Sequence, residues 1–142
     1  MFKATQAIYD ELKGKEGLKV FVEENERSSE VYLNFSLERG GGYRIRFISN
    51  DDDNDVKVRV YALAKVPKNK MTKVLKLVNQ LNSEYRFLKF VVDDDDDLNV
   101  CYDFFVDAQR PELTVEEVIM CYVHMIDEVY PQIMSTIWVD DE

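Results

Sequence analysis

Apolar and polar residues alternate with a period of two along four successive segments, and this pattern predicts four β-strands. The segments are Leu18–Val22, Val31–Leu37, Tyr43–Phe47 and Val56–Val60. Alternation of this kind places one set of side chains on each face of a strand. Because short polar or glycine-rich turns join the segments, neighbouring strands should pair antiparallel.

Three other segments repeat apolar residues every three to four positions, which is typical of helices that bury one face. They are Phe2–Lys13, Asn69–Asn82 and the stretch that follows Thr114. Two more strands, about Tyr85–Val92 and Leu98–Asp107, lie between the second and third helices. We therefore predict a single α+β domain over residues 1–142, with helices packed on one face of an antiparallel sheet.

The last helix has clear start and stop signals. Thr114 and Glu117 fit a capping box, and Leu113 with Val118 fits a hydrophobic staple. Pro131 lacks a backbone N–H, so we expect it to kink or break the helix and leave a separate final turn.

Two asparagines stand three residues apart at the end of the middle helix. We expect Asn82 to form a left-handed helix cap. Asn79 should bond to backbone groups of the strand that follows. Both roles are structural.

The chain carries 28 acidic and 18 basic residues, for a net charge of −10. Such a chain is poorly suited to holding a phosphate backbone by bulk charge, so we expect no direct contact with nucleic acid. The acidic excess is concentrated in Asp51–Asp55, Asp93–Asp97 and the last three residues. The remainder is close to neutral.

No phosphate-binding loop or nucleophile elbow occurs in the sequence, and His124 is the only histidine. We predict no catalytic residue and no cofactor, and rank an enzyme using His124 with an acidic partner such as Asp127 last. Cys101 and Cys121 lack a CxxC spacing, so we interpret them as reduced thiols.

The aspartate runs suggest a calcium site. Asp51, Asp53 and Asp55 fit the first three ligand positions of an EF-hand loop. However, Val56 stands where that loop needs glycine, and Ala62 stands where it needs glutamate. The second run fails in the same way, so we interpret both as solvated turns and predict no metal site.

The outward-facing side chains of the central strands include four cations and two tyrosines. We select six residues as a candidate partner-binding set: Tyr32, Arg44, Arg46, Arg59, Tyr61 and Phe105. An alternative interpretation is a solvated sheet face whose cations pair across strands with Glu38 or Asp103.

The segment VPKNKMTKVLKLVNQLNSEYRFLKFVVDDDDDLNVCYDFFVD and the later YVHMIDEVYPQIMSTIW resemble the bacterial YbjN-type family. The resemblance covers about Gly42 to Trp138. It implies a fold similar to that of type III secretion chaperones, in the order α-β-β-β-(β)-α-β-β-α with five to six strands. Leu18–Val22 is then either an irregular edge or an added strand.

We therefore expect a non-enzymatic, cytoplasmic module that binds a protein or peptide, with a chaperone-like or regulatory role. The resemblance also implies a homodimer, whose contact would use Phe105 or Ile133–Trp138. No apolar run is long enough to span a membrane. The alternative is an acidic mimic of nucleic acid, which needs Asp51–Asp55 and Asp93–Asp97 on one face.

Overall fold

The computed structural model describes residues 1–38, 40–106 and 114–139. The helices are α1 (Lys3–Leu12), α2 (Met71–Glu84), which follows a 3₁₀ turn at Lys68–Lys70, and α3 (Val115–Trp138). The strands are β1 (Phe21–Glu24), β2 (Ser29–Ser36), β3 (Gly42–Ser49), β4 (Asp55–Lys65), β5 (Lys89–Val92) and β6 (Asp97–Phe105).

All six strands form one sheet in the order β1-β2-β3-β4-β6-β5, and every neighbouring pair is antiparallel. The predicted α+β class is confirmed. Strands β1 to β4 are joined in sequence order, and β5 and β6 form a separate hairpin. Pairing of β4 with β6 joins these two parts. These two strands are neighbours in the sheet although α2 and β5 separate them in the chain.

The first strand is displaced from its predicted position. The prediction was Leu18–Val22, whereas β1 spans Phe21–Glu24 and pairs with β2. Every residue of β1 is exposed, so no buried face produces the alternation on which the prediction relied. β1 is therefore an added strand at the edge of the sheet, and it brings the number of strands to six.

The three helices share one hydrophobic core with the inner face of the sheet. Buried residues of that face include Val31, Leu33, Ile45, Phe47, Val58 and Val100. The helices contribute Ile8 and Leu12 from α1, Val74 and Leu81 from α2, and Tyr122 and Ile126 from α3. None of the helices in the described residues packs on the opposite, outer face of the sheet.

Tyr122 of α3 lies over the boundary between β4 and β6. Its hydroxyl oxygen is 2.9 Å from the carbonyl oxygen of Val58 and 3.3 Å from that of Val100. The single hydroxyl proton can be donated to either carbonyl. Burial, reinforced by nearby negative charges, raises the pKa of Tyr122, so the hydroxyl stays a donor.

The predicted break at Pro131 is wrong, because α3 continues to Trp138. Proline removes one helical hydrogen bond. Val129, Ile133 and Ile137 nevertheless lie buried on both sides of it, so core packing holds the last turns in the helix. The predicted cap is confirmed, since the Thr114 hydroxyl accepts from the Glu117 amide at 3.1 Å. Leu113 of the predicted staple lies outside the described residues.

The roles predicted for the two asparagines are also wrong. Asn82 lies within α2, and its side chain pairs with the backbone of Phe90, donating at 3.0 Å and accepting at 2.7 Å. Asn79, three residues earlier, is exposed. The predicted bond to the following strand therefore exists, but Asn82 forms it instead of Asn79.

Candidate functional site

The outer face of the sheet carries a continuous row of side chains across all six strands. In order from β1 to β5, the register partners are Phe21, Tyr32, Arg46, Arg59, Cys101 and Lys89. Since register partners lie on the same face, the structure places Tyr32, Arg46 and Arg59 side by side, as the alternation predicted. Arg44 is next along β3, opposite Asn34.

An aromatic and guanidinium stack occupies the β1–β3 side of this face. The rings of Phe21 and Tyr32 stack with centroids 5.3 Å apart. The guanidinium of Arg44 lies 4.0 Å from the Tyr32 ring centroid, and its Nε donates to Asn34 Oδ1 at 2.9 Å. No carboxylate in the described chain lies within 4 Å of Arg44.

Phe21 is a member of this stack that the sequence analysis missed. It is 42% exposed. In the sequence, Phe21 alternates with Val20 and Val22 and shares the phase of Lys19. A phenylalanine in the same phase as a lysine is the signal that could have identified it.

The two central arginines are held by cross-strand ion pairs. Arg46 Nη1 lies 2.6 Å from Glu30 Oε2, and Arg59 Nη1 lies 2.7 Å from Asp103 Oδ1. The predicted role of Asp103 is therefore confirmed. Glu38 does not serve as a partner, because it lies beyond the end of β2, where it lines a groove with α3.

Burial and neighbouring charges shift the pKa values of Arg59 and Cys101 at the centre of the row. Although partial burial acts to lower its pKa, the hydrogen bond with Asp103 and nearby anionic groups raise it. Burial is also the main cause that raises the pKa of the Cys101 thiol, and Asp103 adds to it against the opposing effect of Arg59. Cys101 is thus a protonated thiol and a poor nucleophile.

Tyr61 and Phe105 are both exposed on the outer face but lie far apart. Phe105 is 64% exposed and is the register partner of Asp55 at the start of β4. Tyr61 is 51% exposed and six residues further along β4, about 20 Å away. Tyr61 nevertheless follows Arg59 by two residues on the same face of β4, so the structure brings together five of the six predicted residues, and Phe105 lies apart.

The two acidic turns lie at opposite ends of the sheet. Asp55 at the start of β4 pairs with Phe105 at the end of β6, and Lys65 at the end of β4 pairs with Asp97 at the start of β6. The turns are therefore separated by the length of β4, roughly 33 Å. A mimic of nucleic acid needs both turns on one surface, so this arrangement contradicts that alternative.

The first acidic turn, between β3 and β4, is largely solvated. Asp51 Oδ1 accepts from the Asp53 amide at 2.9 Å, as in an Asx turn. Carboxylate oxygens of Asp51, Asp53 and Asp55 lie within 4.8 Å of one another, and all three residues are exposed. Asp52 accepts from the Lys3 amide at 3.0 Å.

The second acidic turn, between β5 and β6, is connected to the sheet by side chains. Asp93 accepts from the amides of Asp95 and Asp97 at 2.9 and 3.1 Å, and from Asn99 Nδ2 at 2.8 Å. Asn99 is 6% exposed and accepts from the Ala62 amide at 2.8 Å. Ala62 lies at an irregularity of β4 with a φ of 52°.

His124 and Asp127 do not form a common site. His124 is exposed in a groove between α3 and Tyr85–Leu88, whereas Asp127 lines a different groove beside Leu37. Cys121 shares the His124 groove, and burial followed by the charge of Glu117 raises its pKa. The pairing of His124 with Asp127 is therefore wrong, and the acidic residues that share the His124 groove are Glu117 and Glu128.

Among the residues described, we find no helix that combines the length and the apolar character needed to cross a bilayer.

Comparisons with known proteins point to one family. The sequence model of the YbjN family, described as "Putative bacterial sensory transduction regulator", matches residues 24–134. A crystal structure described as "YbjN, a putative transcription regulator from E. coli" is 19% identical, with a TM-score of 0.47. That match covers 93% of this chain and 84% of the other. No protein with a curated function matches the chain.

Proposed function

Because this chain belongs to the YbjN family over residues 24–134, we propose that it is a regulatory module that acts by binding another protein and catalyses no reaction itself. The family is described as a regulator of sensory transduction. A regulator needs a surface on which a partner can act. The uncovered outer face of the sheet is the surface that we assign to this role.

The observation that carries the proposal is the stack of Phe21, Tyr32 and Arg44 on that open face. Tyrosine, phenylalanine and arginine are enriched at protein interfaces, because they give large contact areas at low entropic cost. Arg44 has no competing carboxylate within the described chain, so its charge is available to a partner.

The shape and charge of the face favour a protein over other partners. Six strands form a surface about 24 Å wide, whereas small molecules prefer concave pockets. Carboxylates of Glu30 and Asp103 lie among the arginines and would repel a phosphate backbone. A protein surface with charges of both signs is the best match.

Site-specific photocrosslinking tests this assignment. A benzophenone amino acid at position 36, exposed on the outer face of β2, should crosslink to a partner protein in the source cell. The same probe at position 75, on the exposed side of α2, should not. Arg44→Glu should remove most of the adduct, and the matched charge reversal Lys76→Glu should leave it unchanged. Equal adducts at both positions would contradict the outer face as the binding surface.

Arg46 and Arg59 are poor choices for this experiment. Glutamate at either position would face Glu30 or Asp103 and destabilise the sheet through like-charge repulsion. Arg44 bonds only to an uncharged amide and to a ring, so its reversal tests binding with little effect on folding. The chaperone-like role, the homodimer and the cytoplasmic location stay predictions.

A further inference from the structure

A second surface lies on the helical side of the molecule, between the C-terminal half of α3 and the connection from β2 to β3. It is a groove with a volume of about 560 Å³. Its apolar wall is formed by Leu37, Tyr130, Pro131, Met134 and Trp138. This groove is separate from the outer sheet face, so what it binds does not depend on the function proposed above.

Two carboxylates interrupt this apolar lining. Glu38 and Asp127 are exposed in the groove, and neither forms an ion pair in the part of the chain that the structure describes. None of the described residues that line the groove is a cation, and the nearby Lys70 ammonium donates to the carbonyl of Val139 at 2.7 Å. The described lining therefore places two carboxylates without a cationic partner among the lining residues next to apolar surface.

Two further features of the groove favour a bound cation. Pro131 cannot donate the helical hydrogen bond to the backbone carbonyl of Asp127, so this carbonyl lacks its usual donor. Trp138 is 74% exposed at the end of the groove. A tryptophan face attracts a guanidinium by a cation–π interaction.

The length of the groove indicates the size of the occupant. From Asp127 to Trp138 the lining follows α3 for about 17 Å. An extended chain of five residues spans about the same distance. A small free cation would contact only the carboxylates and leave the apolar wall uncovered.

We propose that this groove binds a short polypeptide segment that carries an arginine between apolar side chains. Arginine is favoured over lysine because its planar guanidinium can bond two carboxylate oxygens at once and stack on an indole ring. The apolar neighbours of the arginine would cover Leu37, Met134 and Pro131. Glu38 and Asp127 would fix the position of the charged group.

Trp138 provides a direct measurement, because it is the only tryptophan in the chain. The probe is the capped pentapeptide Leu-Ala-Arg-Ala-Leu, which contains no tryptophan. Titration should move the Trp138 emission to shorter wavelength and saturate. The same peptide with citrulline in place of arginine, which keeps the shape and removes the charge, should bind about tenfold more weakly.

Two variants identify the carboxylates. The double variant Glu38→Gln/Asp127→Asn should weaken binding of the arginine peptide about tenfold and leave the citrulline peptide unaffected. Glu11→Gln removes one exposed charge on α1, away from the groove, and should change neither affinity. Circular dichroism checks that the variants are folded. Arg44→Glu should also bind the peptide normally, since Arg44 lies on the other side of the sheet.

Three results would overturn the proposal. The first is no saturable change in Trp138 emission at millimolar peptide. The second is equal affinity for the arginine and citrulline peptides, which would show that charge plays no part. The third is equal affinity for arginine amide alone and for the pentapeptide, which would indicate a pocket for small cations.

Discussion

The two acidic turns are nearly alike in sequence but differ in how they connect to the sheet. In the first, Asp51 bonds to the backbone two residues on, Asp52 accepts from the Lys3 amide of α1, and no carboxylate bond to the sheet is seen among the exposed Asp51, Asp53 and Asp55. In the second, Asp93 bonds to two amides and to Asn99, which in turn holds the irregular backbone of β4 at Ala62. The role of an aspartate run therefore depends on the residue that meets it from the neighbouring strand.

Asn99→Ala should produce the largest effect. It removes the acceptor of the Ala62 amide and the donor to Asp93 at a site that is 6% exposed. We expect a loss of about 1–3 kcal/mol in the free energy of unfolding, measured in urea. Asn50→Ala, beside the first turn, should stay within about 0.5 kcal/mol of the wild type. Similar losses in both variants would show that the two turns are equivalent.

The second-largest effect is a difference between the two turns in how their contribution to stability depends on pH. The hydrogen bond from Asn99, followed by bonds from the backbone, lowers the pKa of Asp93. Its stabilising contribution is therefore complete above the unfolded value of about 3.9 and is lost as the pH falls through the lower folded value.

The urea midpoint of Asp93→Asn should accordingly approach that of the wild type between pH 6 and pH 3. Asp51→Asn, in the first turn, should follow the wild type in parallel over the same range. A constant difference between Asp93→Asn and the wild type at every pH would contradict a charge effect at this position.

Ala62→Gly tests the backbone that the second turn supports. Ala62 has a φ of 52°, a conformation that glycine adopts without a steric penalty. We expect a gain of about 0.5–1 kcal/mol in unfolding free energy. Ala7→Gly, in the exposed interior of α1, should instead lose about 1 kcal/mol. A loss in both variants would mean that Ala62 is not strained.

The smallest effect concerns cations at the first turn. Asp51, Asp53 and Asp55 are close enough to share an ion, yet all are exposed and the loop lacks the EF-hand pattern. We expect millimolar calcium to shift the melting temperature of the wild type and of Asp51→Asn/Asp53→Asn equally. A shift confined to the wild type would reveal a specific site.

The sequence correctly predicted the strands and helices that bury one face. It did not predict the position of β1 or the continuous helix at Pro131, because tertiary contacts determine both. Strands such as β3 alternate clearly because the core holds Ile45 and Phe47. β1 has no buried residue, so its position depends on pairing with β2 and on the ion pair between Glu24 and the Met1 ammonium. Pro131 remains helical because of packing that a local rule does not include.

The candidate site was predicted in part for the same reason. Alternation gave the outward orientation of Tyr32, Arg44, Arg46 and Arg59, and the register then brought them together. Strand order and register cannot be read from one strand, so Glu30 was missed as the partner of Arg46. Spacing along β4 likewise separates Tyr61 from Phe105.

The position of Tyr122 has a consequence for folding kinetics. The β1–β4 meander and the β5–β6 hairpin are each built from neighbours in the chain, and such local contacts form fast. Tyr122 stands 64 residues from Val58 and 22 from Val100, so its hydroxyl reaches both carbonyls only after a long loop has closed. We therefore expect the docking of α3 over the β4–β6 boundary to come late in folding, with the Tyr122 hydroxyl bonding only at that stage.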